Sequence, residues 1–132
     1  MIQKYSTIIS FFIFFIIHSC RNKEQRFIFN IENNKSVKLI LLNNKEYIKY
    51  NEVVPVKFII NGIKLNQLRI IAPGISIFGR NENILDGRIL VKRNYLKSFP
   101  KFIREDTLHI NIYEVENNRI KNKGEILVPL KI

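Results

Sequence analysis

Few residues in this 132-residue chain can do chemistry on their own. Cys20 is the single thiol, and His18 and His109 are the two imidazoles. A hydrolytic triad would draw on Ser36, Ser76 or Ser98, yet none of them lies in a G-x-S-x-G elbow. His109 falls on the polar side of an alternating segment, between Leu108 and Ile110. It reads as a partly exposed strand residue, because a general base needs a nucleophile and an orienting group beside it, and Asp106 is near only in sequence. Asp86, Glu105, Asp106 and Glu114 are the carboxylates open to hard-cation chemistry, but no EF-hand spacing joins them, and Glu105-Asp106 reads as a solvated turn. The five glycines are scattered singly and form no phosphate cradle. These residues point to a protein that is not an enzyme and holds neither metal nor cofactor.

One stretch combines charge with rings. LVKRNYLKSFPKFIRED, residues 90–106, interleaves Lys92, Arg93, Lys97, Lys101 and Arg104 with Tyr95, Phe99 and Phe102. Cations over aromatic anchors suit an anionic surface: lipid head groups, an anionic glycan such as lipopolysaccharide, or an acidic protein. The competing reading is a connection whose aromatics plug one end of a domain while its lysines stay in water.

Cys20 ends an apolar run. Residues 8–17 are apolar except for Ser10, which is too short for a membrane span of roughly 20 residues. Lys4, that run and Ser19 supply the cationic start, apolar middle and small residue of a secretion signal. Ile17-His18-Ser19-Cys20 resembles a bacterial lipobox, in which the thiol is acylated and becomes the first mature residue. The resemblance implies a lipid anchor on Cys20, which suits a lone cysteine that can form no internal disulfide.

The expected organisation is therefore a signal helix over residues 1–19, a polar tether over 20–35 that could include a short first strand at Phe27, Phe29 and Ile31, and one domain over 36–132. The whole chain has a net charge of +11, and the signal carries one lysine and no acid, so +10 remains after cleavage. Such a charge draws a protein towards nucleic acid, anionic lipid or acidic partners, and export excludes nucleic acid. The abundance of Ile, Asn and Lys together also matches what an AT-rich coding sequence produces without selection for surface charge.

After the tether the periodicity is that of strands. Apolar runs at 37–42 and 53–60 are rich in β-branched residues, and alternation marks 65–72, 108–113 and 126–131. Asn61-Gly62, Pro73-Gly74, Asp86-Gly87 and Asn117-Asn118 read as turns, and Pro55 argues for an edge strand or a bulge. About seven short strands in roughly 100 residues predict an all-β fold, a small antiparallel immunoglobulin-like β-sandwich. The Cys…Trp…Cys signature of antibody domains is absent, since the chain has no Trp.

Across YIKYNEVVPVKFIINGIKLNQLRIIAPGISI, residues 47–77, the chain resembles the periplasmic β-domains of the GldM proteins of gliding motility and type IX secretion. Tyr50, Asn51, Pro55, Gly62, Leu68 and Gly74 fill that pattern, and Asp86-Gly87-Arg88-Ile89-Leu90-Val91 stands at its later strand. The resemblance covers about half the mature chain and implies a β-domain of the bacterial cell envelope. The function expected is that of a lipid-anchored, noncatalytic domain at the outer membrane, facing the periplasm, that binds another envelope protein; the alternative is a binder of an anionic glycan or head group. A flat apolar patch or open edge strand would favour the first, a concave basic pocket the second.

Overall fold

The computed structural model describes residues 27–32 and 34–132, so the signal segment and Cys20 lie outside the described residues. Ten strands form in chain order: β1 (Ile28–Glu32), β2 (Lys35–Leu41), β3 (Ile48–Lys49), β4 (Val53–Asn61), β5 (Leu68–Ile71), β6 (Ile75–Asn81), β7 (Ile84–Leu90), β8 (Ile103–Arg104), β9 (Thr107–Glu116) and β10 (Arg119–Lys131). One sheet has the order β1-β2-β4-β7-β6 and the other β3-β10-β9-β5, with β8 paired to β9.

Seven of these strands make an immunoglobulin arrangement. Lettered A to G in chain order, β2, β4, β5, β6, β7, β9 and β10 give A-B-E-D in one sheet and G-F-C in the other, the order of a constant-type domain. The three further strands are short additions. β3 lies parallel to β10, β8 is a two-residue hairpin arm, and β1 pairs antiparallel with β2.

Alternation explains the core. Val37, Leu39 and Leu41 of β2, Val54, Val56, Phe58 and Ile60 of β4, and Leu108, Ile110 and Ile112 of β9 are all buried, one residue in two along each strand. Ile126, Val128 and Leu130 of β10 complete the facing layer. Strands β4 and β9 correspond to those that carry the disulfide in antibody domains, and here they contribute aliphatic and aromatic side chains to the common core, with Glu114 the one buried charged residue on β9. At about 25 cal/mol per Å² of apolar area, burial of these side chains is the main term opposing chain entropy.

Two sequence expectations change. Pro55 lies in a central strand, since β4 sits between β2 and β7. Its missing N–H costs little there: Pro55 O accepts from Leu42 N, one residue past the end of β2, so the absent reciprocal bond falls at the rim of the ladder. Asp86-Gly87 is no turn and lies inside β7, opposite a bulge between Ile77 and Gly79 of β6. A Cβ on Gly87 would collide with the Ser76 carbonyl, so the glycine serves that close approach. The chain reverses instead at Glu82, with φ of 51°. The short first strand allowed for in the tether forms as β1, and the about seven strands expected are those of the immunoglobulin arrangement, joined among the described residues by the three short additions.

Phe29 shows why β1 holds. Gly124 faces inward in β10, and the Phe29 ring occupies the space where a side chain at 124 would stand. β1 thus closes the β2/β10 flank of the sandwich, while the opposite flank ends at β5 and β6.

Candidate functional site

The predicted basic stretch is the connection from β7 to β9. It leaves the sheet at Val91, whose carbonyl accepts from Asn51 N at 2.8 Å, and turns through the short helix α1 (Tyr95–Ser98). Phe99 N donates to Tyr95 O, Ile103 N to Phe99 O and His109 N to Phe102 O, so backbone bonds fix the loop along its length. The rings divide into two groups. Tyr95 and Phe102 are half-buried against the core, and Tyr95 also meets the Phe99 ring edge-on at 5.2 Å between centroids. Leu96, 43% exposed, and Phe99, 38% exposed, point outward.

The five cations are all exposed. Lys92, Arg93, Lys97 and Lys101 form no ion pair among the described residues, whereas Arg104 Nη2 lies 3.1 Å from His109 Nδ1. Tyr95 and Phe102 plug the end of the sandwich, as the competing reading of this stretch had it, while Leu96 and Phe99 stand exposed among the cations. The apolar part of the tip therefore belongs to Leu96 and Phe99, with Tyr95 and Phe102 beneath it.

His109 lies on the outward face of β9. Its Nδ1 is 2.9 Å from Glu125 Oε2 as well as near Arg104, and one nitrogen serves one of them at a time: protonated it donates to Glu125, bare it accepts from Arg104. Its neighbours are thus a carboxylate and a guanidinium, and the sequence neighbour Asp106 is not among its bonded partners.

Glu114 is the residue whose place the sequence hid. It continues the inward series Leu108, Ile110, Ile112 and is 2% exposed. Asn122 Nδ2 donates to it at 2.8 Å and Lys35 Nζ at 3.2 Å. Burial alone would raise its pKa, but the Asn122 amide, the Lys35 ammonium and the charge of Lys121 hold the carboxyl below its ordinary value. The three residues come from β9, β10 and β2, so this buried pair ties the two sheets together. Among the described residues no three His, Cys, Asp or Glu side chains gather as a ligand set.

Compared with known proteins, the chain matches no family model, no curated protein and no solved structure.

The open flank carries the second feature. Among the described residues β5 pairs only with β9 and β6 only with β7, so each presents an edge that no described strand takes up. Between them lies a groove of about 170 Å³ lined by Leu65, Leu68, Ile70, Ile77, Leu85 and Arg80. Ile71, on the outer face of β5, and Phe78 of β6 are further exposed apolar side chains of this flank, Phe78 being 70% exposed. The 65–72 alternation foretold the inward side of β5, but no local pattern told that no described strand would cover it. Two other hollows are polar. One, at Glu116, Asn117, Arg119 and Lys121, has its lysine paired to Glu116 at 3.3 Å; the other is lined by Asn30, Asn34, Lys35, Ser36 and Asn61, its lysine taken by Glu114.

Tyr50, one of the residues in the GldM-like pattern, has a structural peculiarity. Its hydroxyl is buried without a hydrogen-bond partner, and burial together with the nearby Asp106 charge raises its pKa. Removing an unpartnered hydroxyl removes a desolvation cost, so Tyr50→Phe is expected to leave the melting temperature unchanged or to raise stability by up to about 1 kcal/mol. A lower melting temperature in calorimetry would mean that the hydroxyl makes a stabilising bond.

Proposed function

We propose that this protein is a lipid-anchored, noncatalytic β-domain of the bacterial cell envelope that binds another envelope protein through the open flank between β5 and β6. The observation that carries the reading is the apolar groove beside two free strand edges. Free edges accept an extended segment by backbone pairing, and the groove below receives its alternate side chains. Its volume is below the roughly 300–1,000 Å³ of small-molecule sites, and five of its six lining side chains are aliphatic, with Arg80 the sixth, which favours a protein partner over a small ligand. In the two larger hollows, of about 490 and 390 Å³, Lys121 and Lys35 are paired with carboxylates, which weakens the case for a glycan pocket, and Arg119 is the one lining cation with no ion pair among the described residues. The lipobox-like junction at Cys20 supplies the anchor in this reading, and the GldM resemblance directs the search for a partner to the gliding-motility and type IX secretion machinery.

Two experiments test it. A photoreactive residue in place of Phe78, in native membranes, is expected to give a discrete protein adduct that disappears when Ile77→Asp places a charge in the groove. No adduct, or one indifferent to Ile77→Asp, overturns the binding surface. For the anchor, Cys20→Ser is expected to lose the membrane-bound mature form; a correctly processed Ser variant, unchanged in the membrane fraction, overturns it.

A further inference from the structure

We infer that the β7–β9 connection rests on an anionic phospholipid surface, with Leu96 and Phe99 entering the head-group layer, so that the domain stands on the membrane at this end and turns its β5–β6 groove away from it. The inference rests on the lipid anchor proposed above and adds an orientation to it.

Strand directions supply the first argument. β2 ends at Leu41, β4 begins at Val53 and β7 ends at Leu90, and cross-strand pairs place these termini together at the end where the connection lies. β1 runs antiparallel to β2, and Phe27 O accepts from Leu39 N at 2.9 Å. The chain therefore enters the domain from the same end, two residues short of where β2 stops. Seven residue steps separate Cys20 from Phe27, a reach of at most about 25 Å when fully extended. An anchor at Cys20 thus holds this end near the bilayer, and reaching it with the other end would require the chain to double back along β1.

Both ends carry polar turns at positive φ, Asn34, Glu82, Asn117 and Asn118 at the far end and Asn43, Asn44, Asn51, Glu105 and Asp106 at the near end, and the far end exposes a large apolar side chain, Ile120, beside its β9–β10 turn. The near end has the exposed Leu96 and Phe99 among Lys92, Arg93, Lys97 and Lys101, and the stretch keeps an excess of three positive charges after Glu105 and Asp106 are counted. Apolar tips with a cationic collar match a bilayer interface, where rings and aliphatics enter the head-group layer and each nearby cation is attracted to anionic lipid. The groove residues Ile77, Arg80 and Leu85 lie towards the far end, since Arg80 pairs with Leu85 close to the start of β7. A partner could reach the groove while the tip is on the membrane.

The chain contains no Trp, so a single introduced indole reports one place. Full-length protein purified from membranes is reconstituted into vesicles of phosphatidylcholine alone or with phosphatidylglycerol, both carrying brominated acyl chains. With phosphatidylglycerol present, the Phe99→Trp indole is expected to be quenched and blue-shifted, and the Phe78→Trp indole on the flank is not. Replacing Lys92, Arg93, Lys97 and Lys101 with Gln should abolish the preference for anionic vesicles. Because Phe99 touches Tyr95, Leu96→Trp serves as a second reporter that leaves that contact intact. The mass of the purified chain reports acylation separately: a bare Cys20 overturns the anchor, while quenching on anionic vesicles still decides the loop. The loop contact is overturned if both tip indoles are quenched no more than that of Phe78→Trp, if quenching is equal in neutral vesicles, or if added polyglutamate is bound in preference to the vesicles.

Discussion

Lys35→Met is expected to destabilise the domain by about 2–3 kcal/mol, because it leaves the Glu114 carboxylate buried with one donor in place of two partners. This is at the lower end for a broken buried pair, since Lys35 is itself 24% exposed and water can replace part of what it supplied. The double variant Lys35→Met with Glu114→Leu should recover most of the loss, as apolar residues of similar volume often replace a buried pair without cost. The pair also gives stability an acid limb. The folded carboxyl titrates below its ordinary value of 4.5, so its contribution is complete above that pH and is lost as pH falls through the folded-state pKa. Denaturant melts of the wild type should weaken on acidification below about pH 4.5, and those of the double variant should weaken less. Equal acid sensitivity in both proteins would place the limb elsewhere.

Tyr95→Ala and Phe102→Ala are expected to cost about 2–3 kcal/mol each, below the range for fully buried rings because both are only half-buried against the core. Leu96→Ala and Phe99→Ala should each cost less than about 1 kcal/mol, as they remove mainly exposed surface. The same division should appear in reverse on vesicles, where the outer pair governs association. Thermal melts and vesicle binding measured on all four variants separate the roles. Gln at Lys92, Arg93, Lys97, Lys101 and Arg104 together should leave the melt nearly unchanged while flattening the salt dependence of binding, since exposed charges are screened over about 8 Å at physiological ionic strength. A large stability loss in Phe99→Ala, or none in Tyr95→Ala, would refute this division of the loop.

The sequence by itself determined that the domain is all-β and roughly where its strands run. Alternation at 108–113 and 126–131 marks one face of each strand as buried, and Asn117-Asn118 carries the positive φ angles of a tight hairpin turn. It also determined that the five cations of residues 92–104 are exposed, since charges stay in water unless paired. What it could not determine is which strand lies beside which. A period of two assigns a face but carries no address, so only the folded sheet shows Pro55 in a central strand at the one rim position where its missing donor is harmless. For the same reason Asp86-Gly87 imitates a turn until the bulge across from it is seen, and Glu114 resembles a surface carboxylate until Lys35 arrives from a strand 79 residues away. The groove between β5 and β6 is decided in the same way: Leu68 and Ile70 face inward from their alternation, but that they line a groove follows from the constant-type strand order, in which no described strand lies beyond β5.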